Sequence, residues 1–510
     1  MYKAFLLGIA CSFFFYIILA FLHKKWFSRA FIGDTSWHFL MVQEFKENSK
    51  YEGIPKLIMR DGLDTYPKFF HWLCSFFNLK TIKKKQFLPN LLISLFIHGF
   101  LCCYIFYIFS KYYSGNAFEK TIIFTLFLFL QPHQYILKGD KILNIMLSER
   151  FLAGLSSSFY YLSLYFFIIF QDTFSAFCII FFGSICWVVS LFSRQAIIFS
   201  SVLLSIFTIS FVPIGFLLTS YIVATLLNGK YLNKGIAQQI DFLKTYCKFY
   251  KNGTFMKKVI LSKGYPDFRE MLSVKTFGQF LYLFYSRPPI KFFWENPEVL
   301  FLFLCEIFIN NSSLDLKFFI IPMILYAITA SKKFNFIGEG ERYPHYLLKF
   351  FNPFLFVMFF QQSEEQAIIM SLILLYSLFN IIIYIRYNKN VKIPEKDLLD
   401  DILNEHSFSI NDTFFCVPHT LGSAVVVRKG CKALSHQGVR FPLKYMKTVV
   451  SDPPFLKHEW DEIFTRYSIT HVLVDKNMDD QIKIHCDWSY NYSSLNKISE
   501  NASYILYSVK

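Results

Sequence analysis

The chain has 510 residues, of which 54% are hydrophobic and 20% aromatic, and carries a net charge of +16. A mean hydropathy of +0.37 excludes an ordinary soluble protein. The Lys and Arg residues flank apolar runs and form no basic helix, so anionic headgroups or phosphate substrates account for the charge and a nucleic-acid partner is excluded.

Ala4–Leu22 is an uncharged apolar run long enough to cross a hydrocarbon core. It is too long for a signal peptide, no small-residue cleavage site follows it, and His23-Lys24-Lys25-Trp26 comes next. It therefore reads as a retained membrane helix. Further spans are expected at 88–109, 121–136, 151–170, 174–192, 195–210, 211–227, 296–310, 317–331, 346–361 and 366–386, which makes eleven. The pair at 195–227 reads equally as one helix broken at Pro213. Two polar stretches, 23–87 and 228–295, interrupt the spans. Their aromatic and basic segments Lys68–Phe77 and Phe242–Tyr250 read as lying along the membrane surface.

The 65 Phe are spread through the spans and read as lipid-facing and packing residues. The 11 Cys fall mostly in apolar runs, without the spacing of a zinc site. From about Val391 the apolar runs stop. Phe414–Val417, Ala424–Val427, His471–Val474 and Tyr504–Tyr507 read as strands, and Asp397–Glu405 and Pro454–Tyr467 as helices. The expected fold is a polytopic α-helical membrane protein of about eleven spans with a small C-terminal α/β soluble domain. Residues 1–390 would form the membrane domain and 391–510 the soluble one. No Gly-rich loop opens a helix there, which argues against nucleotide binding.

With eleven spans, loops 23–87, 137–150, 193–194, 228–295 and 332–345 share a face with the C-terminal domain. They hold the rarest residue types of the chain: Gly33-Asp34-Thr35-Ser36-Trp37-His38, Ser148-Glu149-Arg150, Ser193-Arg194-Gln195 and Gly338-Glu339-Gly340-Glu341-Arg342-Tyr343. Basic residues in the short loops would place this face in the cytoplasm. Arg150, Arg194 and Arg342, however, are site candidates and not topology signals.

Asp34 sits about a dozen residues beyond the first span, where a carboxylate can take the proton of an attacking hydroxyl. It could equally hold a metal, and on local grounds the plainer reading is the N-cap of a short helix over Trp37–Glu47. The run Asp61-Gly62-Leu63-Asp64-Thr65-Tyr66-Pro67-Lys68-Phe69-Phe70-His71-Trp72 adds carboxylates, a lysine, a histidine and aromatic faces, the mixture a sugar site uses. Its aromatics are also ordinary interface residues, and Lys68 can reach lipid phosphate. Arginine grips phosphate through a planar fork, so Arg150, Arg194 and Arg342 suit a lipid phosphate; singly, each reads as a snorkelling cation. Glu341 can pair with Arg342 and orient Tyr343.

In order, these features resemble the integral-membrane type C (GT-C) glycosyltransferases, a superfamily that includes protein mannosyltransferases and oligosaccharyltransferases. The resemblance is to a bacterial-type member that depends on a polyprenyl-phosphate sugar. Tyr66-Pro67-Lys68-Phe69-Phe70-His71 is similar to a Tyr-Pro-Pro-x-x-His segment, Ser148-Glu149-Arg150 to a Ser-Pro-Arg element, and Gly338–Tyr343 to a Gly-Glu-x-x-Arg-Tyr element. Lys68 and Glu149 replace a proline of each pattern.

The resemblance implies an inverting hexosyl- or pentosyltransferase. It would move a sugar from a polyprenyl-phosphate carrier to a glycan, lipid or protein acceptor at the extracytoplasmic face of the plasma membrane. Asp34 would be the catalytic base. His38, Asp61, Asp64, Tyr66, Lys68, His71, Arg150, Arg194, Glu341, Arg342 and Tyr343 would contact substrate. No acidic residue adjoins Asp34, so no cofactor and no metal is expected. The alternatives are a transporter or flippase of lipid-linked saccharides, or a polymerase or ligase of them. A transporter predicts matching halves and carboxylates near the midplane of several spans, which the sequence lacks.

Overall fold

The computed structural model describes residues 1–22, 34–48, 54–59, 67–131, 147–248, 313–329, 342–360, 364–389, 397–435, 450–452, 455–456 and 460–509, with isolated positions between them. The chain divides into two compact units. A helical unit takes Met1–Phe27, Gln86–Leu232 and Tyr265–Lys392; an α/β unit takes Ser28–Lys85, Asn233–Gly264 and Ile393–Lys510.

The described helices of the helical unit are α1 (Tyr2–Leu22), α5 (Leu88–Tyr112), α6 (Ala117–Leu130), α7 (Glu149–Phe170), α8 (Thr173–Val189), α9 (Leu191–Thr208), α10 (Val212–Lys248, shared along its length with the second unit), α11 (Ser313–Thr329), α12 (Arg342–Leu347), α13 (Phe351–Phe360) and α14 (Glu364–Lys389). Among the described residues four helices are long and apolar enough to cross a membrane: Tyr2–Phe21, Leu88–Tyr112, Glu149–Phe170 and Leu191–Thr208. A fifth appears only if Val212–Asn228 and Tyr231–Asp241, bent by 117°, count as one span.

This corrects the expectation of eleven spans. The apolar run at 346–361 breaks at the turn Leu348–Phe350, leaving α13 with 10 residues. Ten residues reach about 15 Å, half of a hydrocarbon core of about 30 Å. The run at 121–136 likewise gives 14-residue α6, which ends at Leu130, just before Gln131-Pro132. The expected span at 296–310 lies outside the described residues apart from the isolated positions Val299 and Leu302.

Helix α7 is the centre of this unit. Glu149 and every residue from Phe151 to Phe166 are buried. A helix that is apolar on nearly all sides belongs inside a bundle, and this one is flanked by α5, α8, α9 and α12. Helices α1 and α5 cross at Gly8 and Gly99. A Cβ on Gly8 would stand 2.3 Å from the His98 carbonyl oxygen, so only glycine admits the approach. Beside that crossing Ser12 Oγ lies 2.8 Å from Ser94 Oγ, which lies 2.9 Å from His98 Nδ1.

The α/β unit holds α2 (Asp34–Glu47), β1 (Ile58–Met59), α3 (Phe69–Ser75), α4 (Leu79–Lys84), α15 (Leu398–Asn404), β2 (Thr413–Val417), α16 (Leu421–Lys429), β3 (Lys432–Leu434), β4 (Val450–Asp452), β5 (Phe455–Leu456), α17 (Asp461–Tyr467), β6 (His471–Asp475), α18 (Lys476–His485), β7 (Asn496–Glu500) and β8 (Tyr504–Ser508). Six strands form one sheet in the order β1-β3-β2-β6-β8-β7. The first four run parallel, and β8 runs antiparallel to both its neighbours, β6 and β7; Phe414 faces His471 in register, and Ile58 faces Ala433. The edge strand β1 comes from the long stretch 23–87, so this part of the chain is built into the sheet.

The strand at Ala424–Val427 is a second correction, since those residues lie in α16. This helix closes at Gly430, whose φ of +68° suits a left-handed C-terminal residue. It packs so closely on the sheet that a Cβ on Gly422 would stand 3.0 Å from the Ser435 Cβ. Burial of all three valines against the sheet outweighs their β preference. Phe415, Val417, Leu434, Val472 and Val474 form the core beneath, each contributing about 1.5–3 kcal/mol of apolar burial.

Candidate functional site

In the helical unit, the site grows from the amino end of α7. Ser148 caps the helix, its Oγ accepting from the Arg150 N–H at 3.3 Å, and Glu149 follows, buried. Helix α9 starts directly after Ser190 Oγ accepts from the Phe192 N–H at 3.3 Å, which places Phe192 and Arg194 in one turn. Ser193 Oγ donates to the carbonyls of Cys186 and Ser190, both at 2.8 Å, locking that turn. Arg194 is buried and its Nε donates to the Trp187 carbonyl. Arg342 opens α12, with Gly340 immediately before Glu341.

Two of the arginines meet at one ring. The Arg342 guanidinium carbon stands 3.9 Å from the Phe192 ring centroid and that of Arg150 stands 5.9 Å from it. Cation–π contact of this kind positions a guanidinium, a group whose planar N–H fork matches carboxylate or phosphate oxygens. Helix α12 is fixed on α7 by Tyr346, whose hydroxyl donates to the Arg150 carbonyl at 3.4 Å and whose carbonyl accepts from Ser158 Oγ at 2.7 Å. Tyr343 is buried, 6.3 Å from the Phe199 ring. Burial raises its phenol pKa against the opposing charge of Arg342, so it stays protonated.

In the α/β unit, the sequence-selected residues meet on α2 and α3. Helix α2 begins at Asp34, and Thr35, Ser36, Trp37 and His38 are all buried. His38 Nδ1 lies 2.8 Å from His71 Nε2, with ring centroids 5.0 Å apart and 17° between the planes. His71 is fully buried, and burial, then the charges of His38 and Lys68, push its pKa well below the usual imidazole value. One ring must donate and the other accept, so the contact is made by neutral imidazoles or with a single proton shared between them. Lys68 sits half-buried at the N-cap position of α3, where its carbonyl accepts from the Trp72 N–H at 3.0 Å.

Asp61, Asp64, Tyr66 and Glu341 lie outside the described residues. Among the described residues no three His, Cys, Asp or Glu side chains gather as a metal site. At the carboxyl ends of the parallel strands, burial brings the His419 pKa down to about 4, and Asp475 caps α18 by accepting from the Met478 N–H at 3.2 Å. Sequence reasoning missed Phe192 and the pairing of His38 with His71. Phe192 precedes Ser193-Arg194 directly, but nothing marks one phenylalanine among 65.

No family model matches the chain, and no curated protein is similar to it. Among solved structures it is similar to the archaeal oligosaccharyltransferase AglB from Archaeoglobus fulgidus in complex with an inhibitory peptide and a dolichol-phosphate. The TM-score is 0.54 at 10% identity, and the match covers 94% of this chain and 71% of that one. At that identity the likeness is one of fold: the chain is an integral membrane protein with an architecture like that of this membrane glycosyltransferase.

Proposed function

We propose that the chain is an inverting glycosyltransferase that moves a sugar from a polyprenyl-phosphate-type lipid carrier to a glycan, lipid or protein acceptor. The observation that carries this reading is the meeting of Arg150 and Arg342 at Phe192, with Arg194 in the same turn of α9. Two guanidinium groups, of Arg150 and Arg342, beside the amino end of a 22-residue helix form a site for phosphate oxygens, because the helix end adds its own positive potential. The fold likeness to AglB, whose structure holds a dolichol-phosphate, supports it.

In this reading Asp34 is the base. The acceptor oxygen attacks the anomeric carbon from the side opposite the phosphate and its proton passes to the Asp34 carboxylate. The bond from anomeric carbon to phosphate oxygen breaks, and its electron pair leaves on the phosphate, held by the arginines. Configuration at the sugar carbon inverts. No metal takes part, and the site faces away from the cytoplasm. His38 and His71 act by positioning: their hydrogen bond fixes the helix that begins with Asp34.

The reading is tested by native mass spectrometry of the full chain purified in mild detergent. A co-purifying sugar linked to a polyprenyl mono- or diphosphate is expected in the wild type and lost in R150A and R342A. Absence of such a lipid from the wild type, or equal retention in both variants, overturns the reading.

A further inference from the structure

The turn Leu348–Phe350 between α12 and α13 carries a cation that the arginine cluster does not explain. Leu348, Phe350 and Phe351 around it are buried, at 1%, 0% and 0% exposure, while Lys349 itself is half-buried. Its Nζ stands 5.7 Å from the centroid of the Phe151 ring. Among the described residues no carboxylate pairs with it, although Glu149 lies only two residues from Phe151. A cation drawn into an apolar wall without a counter-ion is costly unless an anion arrives to pair with it.

The placement of this cation follows from α12. Tyr346 holds α12 to α7 at Arg150 in its first turn and at Ser158 further along. Arg342, at the start of α12, shares the Phe192 ring with Arg150, the second residue of α7. Lys349, seven residues later, covers the ring of Phe151, the third. Successive helical residues point about 100° apart, so the two contacts lie on adjoining faces of one helix end. One phosphate group meets the fork of an arginine; two cationic contacts on adjoining faces suit two phosphate groups.

We propose that Lys349 is a second phosphate contact and that this site takes a diphosphate-linked carrier in preference to a monophosphate-linked one. The inference rests on the lipid-carrier reading above and narrows its substrate class. A phosphate-bearing bilayer lipid headgroup would satisfy Lys349 by the same chemistry, and the test separates the two sources.

The experiment is equilibrium binding of farnesyl diphosphate and farnesyl phosphate to the full chain in nanodiscs of phosphatidylcholine. The wild type is expected to bind the diphosphate about tenfold more tightly, a difference of about 1.4 kcal/mol. K349M is expected to narrow the gap to about twofold with the monophosphate little changed, and K349R to keep it. Inorganic pyrophosphate should displace farnesyl diphosphate from the wild type better than orthophosphate does, a readout that needs no variant. Equal binding of both farnesyl compounds by the wild type overturns the diphosphate assignment and leaves the carrier reading standing. Binding of neither overturns both. If adding phosphatidylglycerol to the nanodiscs abolishes the preference, Lys349 belongs to the bilayer lipid and the proposal fails.

Discussion

His38 Nδ1 and His71 Nε2 meet at 2.8 Å inside the α/β unit, and this contact joins the helix that starts at Asp34 to the helix that follows Lys68. It links two segments 33 residues apart that the sequence presents as separate sugar-site motifs. Both rings are buried.

Removing one ring should therefore destabilise. H71A leaves the buried His38 nitrogen without its His71 partner and should cost about 1–3 kcal/mol. Denaturant unfolding of the full chain, followed by tryptophan fluorescence, reads this loss. The pH dependence has a definite sign. The pKa of His71 is lowered in the folded chain from 6.5, so the unfolded state binds the proton more readily. Stability from this group is complete above about pH 6.5 and falls as the pH drops below it. H71N should lose that slope; an unchanged slope would contradict the assignment.

Gly8 predicts an effect of packing alone. G8A drives a methyl group to within 2.3 Å of the His98 carbonyl oxygen, so α1 and α5 must separate. The expected cost is about 1–3 kcal/mol, seen as a lower melting temperature in detergent. G115A, at a position where the added Cβ would meet only Lys120 Cε at 3.7 Å but where φ is +88°, should cost about 1 kcal/mol through backbone strain instead.

Asp172, between α7 and α8, gathers Tyr107 at 2.8 Å, Tyr112 at 2.8 Å and Lys111 at 3.0 Å on one oxygen, and caps α8 through the Ser175 N–H at 2.8 Å with the other. Burial opposes its ionisation, but these donors together hold its pKa below the usual carboxylate range. A depressed carboxylate stabilises above its unfolded pKa, about 4, and that contribution is lost as the pH falls toward the folded value. D172A should cost about 2–4 kcal/mol at neutral pH from the lost cap and hydrogen bonds, and less at pH 3. Melting curves at the two pH values check both the size and the sign.

How much of this could be read from sequence depends on length and period. Strands β2, β6 and β8 were legible because each is a five-residue strand built on an unbroken apolar run, Phe414–Val417, Val472–Val474 and Tyr504–Tyr507. The two-residue β1 has no period to detect, and its pairing with β3 is fixed by tertiary contact across more than 370 residues. Hydropathy measures apolar content and not helix continuity, so it cannot see the turn at Lys349 that splits one expected span into α12 and α13. In the candidate site, the arginines were legible because guanidinium groups are rare beside apolar runs. Phe192, the ring at which Arg150 and Arg342 meet, was not, because its chemistry is shared by every other Phe in the chain.

The measurement that tests the glycosyltransferase account most directly is complementation by D34N in a strain lacking this protein. Membrane insertion and protein level would be confirmed, and surface glycans read by mass spectrometry. The account predicts loss of one sugar at normal protein level, which would also identify the transferred unit. Full rescue of the glycan profile would contradict Asp34 as the base and with it the account of catalysis.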